Sequence, residues 1–296
     1  MATTLPGRSI TRRPTRLRHT PWFYVGEALI WLFLIVMALV EFAPISWIFA
    51  TSLRNPSESF NLPPSFWPTS FVWQNYWAVI TSDQINFLGF FWNSLKIASL
   101  VTAAQLLTCS MAAFSFARLR YPGRDFLFFA FLSSLMVPAT VIVIPTFILI
   151  RTAGLLDTHW AMILPATTSA FGVFLLRQAF MALPAELVDA AKIDGASFFR
   201  IYWQVLLPLI GPGLSALGIF TFLGSWNNFL GPLLFLRTWD KYTFPIAIVM
   251  LEGYMGTGNR AHVLAAVMIS IFPALLFFLF AQRFVIRGIA MSGIKG

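Results

Sequence analysis

Apolar residues run through this chain in long blocks, at about 25–50, 91–117, 126–150, 160–181, 209–236 and 262–284. A helix crosses the hydrocarbon core of a bilayer in about 20 residues, so each block is long enough to span one. None of them keeps the period-two alternation of a half-buried strand. The pattern predicts an all-α integral membrane protein with six transmembrane helices. Pro138, Pro145 and Pro165 fall inside the blocks and predict kinks, since each removes a helical N–H.

One interior stretch breaks the pattern. Residues 183–208, LPAELVDAAKIDGASFFRIYWQVLLP, are polar and sit between the fourth and fifth blocks. They read as a short helix, a glycine turn and a second helix. Pro184 suits the first helical position, where a missing N–H costs nothing. Glu186 and Asp189 near its N-terminus and Lys192 near its C-terminus each complement the helix dipole. Gly195, following Asp194, stops the helix by taking the left-handed conformation. Ser197 caps the next one. Ala190 and Ala191 form a small-residue spot open to close approach. A polar helix–turn–helix tied at both ends to membrane spans reads as a docking element.

Composition agrees with a membrane protein: 58% of residues are hydrophobic and 10% charged. The net charge of +9 raises the question of nucleic acid, but the basic residues flank apolar blocks and serve topology instead. The tail arginines 8, 12, 13, 16 and 18 share one side with Arg118, Arg120, Arg124, Arg177, Lys192, Arg200, Arg283, Arg287 and Lys295. That heavier side is the cytoplasm, so both termini and the 183–208 loop are expected there. Residues 1–20 read as a basic cytoplasmic tail, with anionic lipid as a contact, and 21–296 as a single six-span transmembrane domain. The first block is too long for a cleaved signal.

The loop at about 51–90 is rich in proline and carries Trp67, Trp73, Tyr76 and Trp77. Its aromatics suit an interfacial belt; docking of an external partner, or stacking on sugar rings, is the alternative. Glu41 lies three residues before Pro44, where it either faces a water-filled path or hydrogen-bonds between helices. Trp226, Asn227 and Asn228 set amides beside an aromatic ring. That group suits a hydroxyl-rich solute, and equally serves as packing glue between helices.

The chain contains no G-x-x-x-x-G-K-[ST] phosphate loop, no H-E-x-x-H and no G-x-S-x-G. Its one cysteine, Cys109, excludes an internal disulfide and reads as a small buried residue. His19, His159 and His262 are isolated, so no metal site is expected. No catalytic residue and no cofactor site is expected in this chain, and an energised transporter built on it needs an ATPase from elsewhere.

The 183–208 loop resembles the E-A-A-x-x-x-G-x9-I-x-L-P signature of inner-membrane subunits of ABC importers. Here it reads Asp189-Ala190-Ala191-Lys192-Ile193-Asp194-Gly195, nine residues, then Val205-Leu206-Leu207-Pro208. The spacing is complete. Asp189 replaces the usual Glu and Val205 the usual Ile; Glu186, about one turn earlier on the same face, is a second candidate for the carboxylate role. The stretches 113–124, 171–178, 226–230 and 287–296 are also similar to the second, six-span permease of the carbohydrate-uptake, maltose-type branch.

The resemblance implies a heterodimer with a second, homologous permease around a central pathway, above two ATPase subunits that bind ATP and Mg. An extracytoplasmic solute-binding protein delivers a sugar. The complex resides in the bacterial plasma membrane. The elbow at 183–208 is then a coupling helix seated on one ATPase subunit, with Glu186, Asp189, Ala190, Ala191, Asp194, Gly195 and Pro208 as its key residues. The tail Gly293, Ile294, Lys295 and Gly296 reaches the ATPase interface. An ion-driven secondary carrier, and a non-transporting scaffold or sensor, are the competing readings.

Overall fold

The structure, a computed structural model, describes residues 21–55, 58, 67–82, 85–254 and 259–292, without the side chains of Pro21, Tyr254 and 285–292. The basic tail at 1–20 and Gly293, Ile294, Lys295 and Gly296 lie outside the described residues. The chain divides into two units, Met1–Ile48 and Phe49–Gly296. In the first, the described part is one apolar helix, α1 (Pro21–Ser52), whose last residues belong to the second unit. Glu41 stands on α1, three residues ahead of Pro44.

Among its described residues the second unit is built of helices joined by turns and loops. After α2 (Gln74–Ile80), α3 (Phe87–Arg118) forms its spine. Asn86 starts that helix by accepting the Gly89 N–H at 3.0 Å. Then follow α4 (Arg124–Ser133), α5 (Ala139–Thr152), α6 (Trp160–Ile163), α7 (Ala170–Met181), α8 (Glu186–Ile193) and α9 (Phe198–Arg200). The unit ends with α10 (Gly211–Trp226), α11 (Leu230–Phe235), α12 (Phe244–Tyr254) and α13 (Arg260–Ser292). Helix α3 packs on α7 and α10, and α10 packs on α13.

The α3–α7 crossing is close because its residues are small. A Cβ at Gly172 would lie 2.9 Å from the Cys109 sulfur, so only glycine fits there. Cys109 is fully buried, as its apolar surroundings predict.

Among the described residues, four helices are long and apolar enough to cross a membrane, or up to six if each of two bent pairs counts as one span. The third block, expected at 126–150 with kinks at its prolines, breaks far more sharply: α4 and α5 meet at 103° around Val137 and Pro138. Pro138 is not helical, with ψ at 136°, and carries the break. The fourth block likewise splits into α6 and α7, with Pro165 between them, and the fifth into α10 and α11.

Candidate functional site

The 183–208 elbow is fixed at its entry by arginine. Arg118, the last residue of α3, donates through one terminal nitrogen to the carbonyls of Phe180 and Leu183 where α7 ends. Arg177 lays its guanidinium 4.2 Å from the Phe128 ring centroid.

Helix α8 starts at Glu186, two residues later than Pro184 suggests, so the proline precedes the helix rather than opening it. The turn behaves as its sequence predicts. Gly195 has φ +76°, the Gly195 N–H donates to Lys192 O at 3.0 Å, and the Ala196 N–H reaches Ala191 O at 2.9 Å. This pair of bonds is the Schellman closure of a helix. Ser197 then accepts the Arg200 N–H at 3.3 Å. Residues Ile201–Leu206 follow as a single π turn, and the Leu207 N–H reaches Tyr202 O at 2.9 Å. Pro208 opens a tight turn leading into α10.

The elbow has two faces. Val188, Ile201, Tyr202 and Leu206 are buried in one cluster with Phe114, Leu176 and Phe180. The Tyr202 hydroxyl lies 2.7 Å from that of Ser110 on α3. On the other face Glu186, Asp189, Ala190, Asp194 and Gly195 are exposed, and Ala191 is half-buried. Ile193 is 86% exposed, and Phe198, Phe199 and Trp203 are exposed beside it. Phe199 stacks on Trp203. Among the described residues, no ion pair involves Glu186 or Asp189. Asp189, Lys192, Arg118, Arg120 and Arg124 border a cavity of about 450 Å³.

A second cavity, of about 350 Å³, lies among α3, the α6–α7 junction and α10. Asn228 borders it and Asn227 is exposed nearby in sequence. Trp226 does not border it: the ring is 2% exposed, stacks with Phe222 and Phe244, and donates its indole N–H to Ser270 O at 3.1 Å. Its expected place on a solute path is corrected to a core position. Gln105, which sequence reasoning passed over, is central there. Its side chain accepts from Thr221 at 2.9 Å and donates to Ala166 O at 2.9 Å. An amide deep inside the apolar block at 91–117 was the available signal.

The family described as binding-protein-dependent transport system inner membrane component matches residues 105–290, which take in most of the cavity lining, the elbow and most of α13. The chain belongs to this family. The inner membrane component is 35% identical over 271 residues to the arabinooligosaccharides transport system permease protein AraQ of Halalkalibacterium halodurans, covering 90% of this chain and 96% of that one. Its identity to the AraQ of Bacillus subtilis is 33% over 282 residues, covering 95% and 100%. With the sn-glycerol-3-phosphate transport system permease protein UgpE of Yersinia pestis it is 30% over 266 residues, covering 88% and 95%. A solved chain of a bacterial ABC transporter involved in the import of the acidic polysaccharide alginate superposes with a TM-score of 0.76 at 21% identity, covering 90% of this chain and 98% of that one. This likeness shows a shared fold.

Proposed function

We propose that this chain is the transmembrane permease subunit of an ATP-driven, binding-protein-dependent sugar importer. It forms half of the translocation pathway with a second permease, and one of two ATPase subunits drives it through the 183–208 elbow. ATP and Mg belong to the ATPase partners. The names of the relatives support a carbohydrate or sugar-derived cargo. The observation that carries the coupling role is the division of the elbow: one face locked into the core, the other presenting Asp189, Ala190, Ile193, Gly195 and exposed aromatic rings. A stiff element with a free apolar face transmits displacement, whereas a loose loop absorbs it.

In this reading the six spans are α1, α3, the bent α4–α5 pair, α6 with α7, α10 with α11, and α13. Helix α8 is too polar to lie in lipid and belongs to the cytoplasmic side, with both termini, as the arginine distribution requires. The basic residues 1–20 form a cytoplasmic tail, and Gly293, Ile294, Lys295 and Gly296 extend to the ATPase. Glu41, Asn227 and Asn228 stand as pathway residues.

The test is reconstitution in proteoliposomes with the second permease, the ATPase and the solute-loaded binding protein. Uptake should require all partners and ATP. Uptake by this chain alone, driven by an ion gradient, would overturn the proposal in favour of a secondary carrier.

A further inference from the structure

The cavity among α3, α7 and α10 has the chemistry of a binding site, and none of its lining side chains is ionisable. Its volume of about 350 Å³ lies at the lower end of small-molecule pockets. One wall is apolar: Phe171 and Phe220, both exposed, meet edge to face with centroids 5.9 Å apart. Ser94, Thr221, Asn228 and Thr243 add hydroxyls and an amide to the lining. Thr243 is 3% exposed and its hydroxyl has no hydrogen-bond partner, although a buried orphan of this kind is destabilising.

Which groups donate and which accept can be read from the bonds already made. Ser94 accepts the Phe244 N–H at 2.8 Å, which leaves its own proton to give. Asn228 accepts the Gly231 N–H at 3.0 Å, which leaves its amide nitrogen to donate. Thr221 donates to Gln105 at 2.9 Å, which leaves its oxygen lone pairs to accept. The lining therefore offers both donors and acceptors. A hydroxyl both gives and takes a hydrogen bond, so it suits such a lining; a carboxylate or phosphate only accepts, and binds through Arg or Lys.

We infer that this cavity is a solute subsite for an uncharged, polyhydroxylated ring, with Phe171 and Phe220 under its C–H face and Thr243, Thr221 and Asn228 on its hydroxyls. The inference rests on the importer reading and adds the substrate class to it: a neutral saccharide, and neither a uronate nor a phosphate ester.

Gly224 supplies a clean probe. A Cβ there meets nothing within 4 Å, and the residue borders the cavity. Gly224→Leu therefore fills the space without disturbing the helix. Thr243→Val removes a hydroxyl that holds nothing in the fold. Both variants are assayed in the complete reconstituted transporter. The solutes are radiolabelled neutral mono- to trisaccharides, a digalacturonate and glycerol phosphate. The wild type is expected to take up a neutral sugar and to reject both anions. Gly224→Leu abolishes uptake while the complex assembles and hydrolyses ATP. Thr243→Val lowers uptake about fivefold, the worth of one hydrogen bond, while its thermal midpoint stays or rises. Undiminished uptake by Gly224→Leu, or wild-type uptake of an anion at the neutral rate, overturns the inference. A wild-type assembly that moves no solute on ATP overturns instead the importer reading beneath it.

Discussion

Asp157 and Thr238 lie eighty-one residues apart, and the Thr238 N–H donates to the Asp157 carboxylate at 2.9 Å. The Arg237 N–H donates to the same oxygen at 2.9 Å, and the Lys241 ammonium lies 3.0 Å from the other one. Asp157 holds this position at φ +58°, a conformation that aspartate tolerates better than most residues. The clamp joins the loop after α5 to the loop after α11. Close by, Asn93 of α3 donates to Asp240 O at 2.7 Å. Arg118, which holds the elbow, is the last residue of the same helix; at 1.5 Å per residue the two sites lie about 37 Å apart along α3, more than the thickness of a hydrocarbon core.

Replacing Asp157 with Ala removes every one of these acceptors and strains the backbone, at a cost of about 2–3 kcal/mol to the clamp. Asp157→Gly relieves the strain but not the lost bonds. Asp157→Asn keeps one acceptor and the left-handed conformation, and should lose least. Hydrogen exchange at the Arg237 and Thr238 amides reads the order directly: fastest in Ala, slowest among the three in Asn.

Acid acts on this clamp twice. The hydrogen bonds from Thr238 and Arg237 hold the Asp157 carboxyl well below its usual range. Its stabilisation is fully present above the unfolded value near 3.9 and is lost as pH falls through the lowered native value. Burial lowers His159, whose Nε2 lies 2.9 Å from Lys241 O. The unfolded chain then takes up the proton more readily, so stability declines as pH drops below about 6.5 and stops declining below the lowered native value. The thermal midpoint should fall between pH 7.5 and 5.5, and His159→Gln should flatten that fall. An unchanged pH slope in His159→Gln would contradict this assignment.

Arg118→Ala removes the charged donor from the carbonyls of Phe180 and Leu183, although Phe180 O keeps the Leu183 N–H at 3.2 Å, a loss of about 1.5–3 kcal/mol. Arg118→Lys keeps the charge but not the planar fork, and should recover part of that loss. Thermal unfolding in detergent gives the order wild type, Lys, Ala. ATP-driven uptake should follow it, since the same arginine sets where the elbow leaves α7.

At Gly195 the penalty is purely conformational, because a Cβ there meets nothing within 4 Å. Gly195→Val forces a branched side chain into φ +76° and should cost at least about 1–2 kcal/mol. Gly195→Asn tolerates that conformation and should cost less. The reading is solute moved per ATP hydrolysed, which should fall several-fold in Val and little in Asn. Full coupling in Val would count against a rigid elbow.

The elbow was readable in the sequence because its signals are local: Gly195 for the turn, Ser197 for the cap, acids and a lysine at opposite ends of one helix. The long helices α1, α3 and α13 were readable for the same reason, as unbroken apolar length. What escaped depended on distant partners. Trp226 had two readings, a solute-facing ring or packing glue, and only its bond to Ser270, forty-four residues on, decides for packing. Pro138 announced a kink but not a turn of 103°, whose size no local signal sets. Asp157 gave no sign at all, since its left-handed backbone and its hold on residues 237–241 exist only after folding.

The central claim is that the outward face of the elbow meets a separate ATPase on the cytoplasmic side. A single cysteine at Ile193 tests it most directly, because that side chain is exposed and Cys109 is buried. In the assembled transporter, Ile193→Cys should cross-link to the ATPase subunit and resist a membrane-impermeant thiol reagent applied from outside intact cells. Labelling from outside, with no cross-link to the ATPase, would contradict the account.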